Sequence, residues 1–220
     1  MPLTYLLTTI ATKILALFIG LAFFRRMALP YRLALLQVFL GMMAEVGGWY
    51  IAAVYREHNL WLFNWYWLTE LWVMGTTGIL LLKNRVLQKG FLGLLLIPTA
   101  LWVYFISING IDMHPAPALT AIGTTLIVIF IAVLFHASFT RQALSSQPVF
   151  WLSLSVLIFF GGIVPYYSMF NYLYTTNPVL LEKLFIITEV LNHLRYPMVA
   201  IGLFLAGRQH LATVKLRNHV

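Results

Sequence analysis

The chain has 220 residues, of which 61% are hydrophobic and only 9% charged, and its mean hydropathy is +0.88. A soluble domain of this size could not keep so much apolar side chain from water, so the composition points to the polytopic membrane class. The net charge of +8 does not indicate nucleic acid, because Lys and Arg sit in short connections between apolar runs; the absence of cysteine excludes disulfides, thiolate metal sites and cysteine nucleophiles.

A bilayer core requires about 20 apolar residues per helix. Seven segments meet that length, near 3–24, 33–55, 60–82, 91–109, 117–138, 149–172 and 179–206. The expected fold is therefore all-α, a single transmembrane bundle of seven helices, with no connection long enough to form a further domain. MPLTYLLTTIATKILALFIGLAFFRR carries Arg25 and Arg26 after its apolar stretch, not before it. It reads as a retained first span and not as a cleavable signal. Arg25, Arg26, Arg32, Lys83, Arg85, Lys89, Arg141, Arg208, Lys215 and Arg217 all fall on one side of such a bundle. Positive connections stay cytoplasmic, which places the N-terminus outside and the C-terminus inside.

In chain order, span one carries Lys13 near its middle, on a face shared with Thr9 and Gly20. Span two carries Glu45, with Gly41 and Gly48 on the same side, where small residues let another helix approach. Span three, LWLFNWYWLTELWVMGTTG, carries Glu70 on the face of Tyr66, Trp67, Met74 and Thr77. Five of the seven tryptophans lie between positions 49 and 72. Trp61 and Tyr174 suit an interfacial aromatic belt, whereas Trp67 and Trp72 lie deeper and suit the wall of a pocket open to the outside. Pro165 in span six and Pro197 in span seven leave the carbonyls of Gly161 and His193 without their helical donors, so a bend is expected at each. The outer-connection groups Glu57, His58, Asp112 and His114 are too sparse for a metal site.

The most unusual stretch is EKLFIITEVLNHLRYP, 182–197. At 100° per residue Glu182, Glu189, His193 and Tyr196 form one stripe of a span-length helix. Glu182 and Lys183 are explained by the outer interface. Arg195, on another face, reads as a side chain snorkelling to the cytoplasmic headgroups. Lys13, Glu45, Glu70, Glu189 and His193 come to one depth, from four different spans. Ionisable groups at membrane depth are costly and face a protein interior or a water-filled cavity. The expected ligand- or ion-binding set is thus Lys13, Glu45, Glu70, Glu189 and His193, lined by Tyr66, Trp67, Asn192 and Tyr196, in a pocket between spans one, two, three and seven. Three carboxylates against one ammonium form an acidic excess, which calls for protonation, a bound cation or a cationic ligand. The competing reading is a structural ion-pair network that leaves no site at all.

Glu189 and His193 form E-x-x-x-H; a metal would draw on Glu45, Glu70, Glu189 and His193, but the spacing matches no metal motif and no cofactor is expected. No G-x-S-x-G, P-loop or G-x-G-x-x-G occurs, and span seven lacks the central lysine of retinal proteins. LFNWYWLTELW, the Glu45 span and LNHLRYPMVAIGLFL resemble uncharacterised bacterial seven-span membrane proteins. That resemblance implies a bacterial inner-membrane location and transfers no catalytic residue. The leading expectation is a receptor-like protein that binds a small molecule or ion among membrane lipids and signals through a partner, without nucleic acid. The alternatives are a membrane enzyme acting on a lipid or isoprenoid through Glu189 and His193, a proton- or cation-coupled transporter, and a non-catalytic subunit of a membrane complex.

Overall fold

The computed structural model describes residues 3–56, 58–139 and 143–217; Glu57 and Arg141, both used above, lie outside them. Seven α-helices are present among these residues: α1 (Leu3–Phe23), α2 (Leu29–Tyr50), α3 (Leu60–Leu81), α4 (Arg85–Asn109), α5 (Ala116–Ser138), α6 (Pro148–Thr176) and α7 (Pro178–Arg217). Their ends follow local chemistry. Proline stands in the first turn of α2, α5 and α6, where a missing N–H costs nothing. Asn84 caps α4, its Oδ1 accepting from the Val86 and Leu87 N–H groups at 2.8 and 3.4 Å. Gly110 ends α4 at φ 85°, a left-handed backbone that suits glycine. A π-helical turn, Ile51–Tyr55, prolongs α2 until Arg56 enters the left-handed region. Asn59 then donates 2.9 Å back to the Gly48 carbonyl and closes the α2–α3 corner. α6 and α7 run unbroken past Pro165 and Pro197, as α4 does past Pro98.

Helices α1, α2, α3, α5, α6 and α7 form a ring in which each packs on the next, α3 meeting α5 directly. α4 stands outside it, against α3 and α5. It is held there by Leu95, which fills the space beside Gly75, and by Trp102, whose ring lies 5.1 Å from that of Trp65. The apolar core, built on Leu71, Met74, Leu126, Ile129, Phe130, Leu152, Val156, Phe160 and Leu203, fills one half of the ring. The other half carries the α2–α3, α4–α5 and α6–α7 connections and contains the cavity described below.

By length and composition, α1, α2, α4, α5 and α6 are long and apolar enough to cross a bilayer. α3 and α7 are not among them. α3 dilutes its apolar residues with Asn64, Glu70 and a run of Trp and Tyr; α7 carries Glu182, Lys183, Glu189 and Arg195. Large apolar side chains stand exposed all round the bundle, including Phe18, Met43, Leu96, Tyr104, Phe135 and Ile186. A water-soluble monomer rarely exposes so much apolar surface, and this coat is compatible with a membrane protein.

Candidate functional site

The site begins with two ion pairs. Lys13 of α1 reaches Glu45 of α2, and Arg195 of α7 reaches Glu70 of α3. Lys13 is 1% exposed, Arg195 3%, Glu70 0% and Glu45 14%. At such burial an unpaired charge is strongly unfavourable, so each pair ties two helices together. Both cations are supported further. The Lys13 Nζ donates to the Gly41 carbonyl at 3.3 Å and lies 4.7 Å from the centre of the Tyr196 ring. The Arg195 guanidinium lies 4.4 Å from the centre of the Phe159 ring. Asn192 Nδ2 donates to Glu45 Oε1 at 3.2 Å, and Gln37 Nε2 donates to the Tyr66 hydroxyl at 3.0 Å.

Gly41 shows why glycine stands opposite this cluster. A Cβ there would lie 2.9 Å from the Tyr66 hydroxyl and 3.2 Å from that of Tyr196. A side chain would push both phenols away from the ion pairs.

Glu45 and Glu70 face a cavity of about 650 Å³. Its walls are aromatic: Trp49 from α2, Phe63, Tyr66 and Trp67 from α3, Phe159, Tyr166, Tyr167 and Phe170 from α6, and Phe185 and Tyr196 from α7. Trp67 meets Tyr167 edge to face at 5.7 Å. His114, from the α4–α5 connection, stacks on Phe170 with centroids 4.0 Å apart and planes 7° from parallel. Asn64, also on the wall, donates to the Ile111 and Met113 carbonyls and so anchors the connection that carries His114. Burial lowers the His114 pKa to about 4, which keeps its ring neutral.

Three polar atoms of residues on the cavity wall are buried and have no hydrogen-bond partner among the described residues: Glu45 Oε2, Glu70 Oε2 and His114 Nδ1. Buried polar groups are nearly always paired, so these three atoms are the site's most informative feature. They sit in a space that would accommodate a drug-sized molecule.

Several expectations from the sequence require correction. Arg195 does not snorkel; it is buried and is the counter-charge of Glu70. The cavity is bounded by α2, α3, α5, α6 and α7, while α1 contributes only Lys13 from behind Glu45. Glu189 and His193 do not line it. His193 faces α1 instead, and its Nδ1 donates to the Glu189 backbone carbonyl at 2.8 Å. That bond leaves His193 Nε2 facing the Thr8 hydroxyl at 3.0 Å. The proposed ligand set Glu45, Glu70, Glu189 and His193 therefore does not converge, and no group of three His, Asp or Glu side chains suited to a metal occurs among the described residues. The acidic excess also disappears, because the cavity's two carboxylates are matched by two cations. Tyr66, Trp67, Asn192 and Tyr196 do line the cavity. Sequence reasoning missed Arg195, although Thr188, Asn192, Arg195 and Val199 follow helical spacing and mark the α7 face that meets the cavity.

The class of molecule defined so far is an all-helical bundle with a membrane-compatible surface and an internal amphipathic cavity. Compared with known proteins, the chain matches no family model, no curated protein and no solved structure, so the resemblance carried by LFNWYWLTELW gains no relative.

Proposed function

We propose that this is an integral membrane protein of the bacterial inner membrane that binds a small molecule in its aromatic cavity and acts as a receptor. All seven helices span the bilayer, with the N-terminus outside and the C-terminus in the cytoplasm, so the cavity opens outward. The distribution of Lys and Arg supports that orientation, and the coat of exposed apolar side chains supports the bilayer. α3 and α7 span despite Asn64, Glu70 and Arg195 because these are buried against neighbouring helices, while the exposed Glu182 and Lys183 stand near the outer end of α7.

One observation carries the binding reading: two buried carboxylates, each held by its own cation and each keeping one oxygen without a partner, belong to the wall of an aromatic cavity of about 650 Å³. A purely structural network would use both oxygens or exclude the space between them. The separation of Glu189 and His193 from the cavity removes the support for an enzyme using them as an acid–base pair. Signalling would pass to a membrane or cytoplasmic partner at the basic inner face.

The test is thermal unfolding of the protein in lipid nanodiscs against a panel of amphipathic aromatic compounds. Some compounds should raise the midpoint by several degrees. Ala53→Trp, which places an indole in the mouth of the cavity, should abolish the gain. A panel without any stabilising compound, or a gain indifferent to the blocked mouth, would defeat the proposal.

A further inference from the structure

Granted that the cavity binds a small molecule, its charge balance specifies which kind. The ionisable groups that face it are Glu45 from α2, Glu70 from α3, His114 from the α4–α5 connection and Arg195 from α7; Lys13 stands directly behind Glu45. α5 brings none, the tyrosines of α3, α6 and α7 are neutral phenols, and Glu189 and His193 do not line the cavity, His193 facing Thr8 of α1. With His114 neutral, two carboxylates and two cations sum to zero. Each cation occupies Oε1 of one carboxylate and leaves Oε2 buried and unpaired. The cavity therefore offers strong acceptors without net charge.

We infer that the ligand is an uncharged hydrogen-bond donor on a flat apolar body, an aromatic or polyene alcohol or phenol, and that charged analogues are rejected. An O–H group can satisfy Glu45 Oε2 or Glu70 Oε2 and leave the balance intact. An ammonium would add an uncompensated charge in a water-poor site, and a carboxylate would meet acceptor oxygens. Aromatic walls ordinarily favour cations, but here the Phe159 and Tyr196 faces are already taken by Arg195 and Lys13. Trp49, Trp67 and Tyr167 remain for the ligand's apolar body.

The test compares 2-(1-naphthyl)ethanol, 2-(1-naphthyl)ethylamine and 1-naphthylacetate at pH 7.5 by calorimetric titration into the full chain in nanodiscs, with empty nanodiscs as reference. The alcohol should bind at least about tenfold tighter than either charged compound, a ratio worth about 1.4 kcal/mol. Lys13→Gln leaves the site negative and should move the preference to the amine. Glu45→Gln leaves it positive and should move the preference to naphthylacetate. The neutral double variant Lys13→Gln/Glu45→Gln should restore the alcohol preference, and it serves with the unaltered protein if a single variant does not fold. Tightest binding of the amine by the unaltered protein, or a ranking that ignores these substitutions, would overturn the charge argument alone. If none of the three binds, the small-molecule reading itself falls.

Discussion

At the scale of single residues, the site rests on four charges that the bundle could have replaced with apolar side chains at little cost. Removing one member of a buried pair is a different matter, since the survivor is left in the interior. Arg195→Ala should destabilise the protein by about 3–5 kcal/mol, measured by denaturant titration in mixed micelles, whereas Arg195→Met combined with Glu70→Leu should cost far less. His114 adds a pH dependence whose sign follows from its burial. Its pKa is about 4 when folded and about 6.5 when unfolded, so the unfolded chain takes up a proton first as pH falls. The stability tied to the neutral ring is complete above pH 6.5 and falls by about 1.4 kcal/mol per pH unit down to about pH 4. His114→Phe keeps the stack on Phe170 and should flatten that part of a melting-temperature profile. Lys13, Glu45 and Glu70 were legible in the sequence because charges are rare there and lie far from the ends of their spans. Arg195 was not, because its position on span seven is equally explained by a side chain reaching the headgroups. His114 was not either, because nothing local shows that its connection folds over a cavity; Asn64, fifty positions earlier, holds it there.

At the scale of elements, α7 explains most of what a helical wheel could not give. It packs on both α1 and α6, so two of its faces are interior and each carries polar groups. The stripe through Glu182, Glu189, His193 and Tyr196 is divided: Glu182 is exposed, His193 meets Thr8 of α1, and Tyr196 joins Asn192 and Arg195 on the cavity wall. A wheel ranks faces by polarity and cannot say which neighbour each will meet. Each apolar segment read from the sequence falls within or close to one helix, because length and hydropathy are local properties, but α4 begins at Arg85, ahead of the segment near 91–109, and α7 runs to Arg217, past the segment near 179–206. Close helix approach gives a sharp test. A Cβ on Gly202 of α7 would lie 3.2 Å from the Pro148 carbonyl of α6, a backbone atom with little room to move. Gly202→Leu should therefore cost about 1–3 kcal/mol in the same titration. Gly90→Leu on α4, where nothing lies within 4 Å, should be neutral or slightly stabilising.

For the whole molecule, the orientation proposed above rests on the basic connections, and the absence of native cysteine makes it simple to measure. In spheroplasts, a cysteine at Asp112→Cys should react with a membrane-impermeant maleimide, and one at Gln88→Cys should react only after lysis. The reverse pattern would invert the topology and close the cavity to the outside. The order of the ion pairs along the chain also bears on how the protein is made. On the proposed topology, Lys13 precedes Glu45, so a nascent chain would already hold the first counter-charge when the second helix enters the bilayer. Glu70 has no such help, because Arg195 lies 125 residues further on. At about 5–20 residues per second, synthesis leaves α3 waiting roughly 6–25 s for its partner. α3 and α7, the two helices not apolar enough by composition to be candidate spans, are thus the two that the Glu70–Arg195 pair joins, and on the proposed topology their insertion would be coupled. Arg195 would then act as a latch of assembly, and a chain truncated before it should be a preferred substrate of membrane proteolysis.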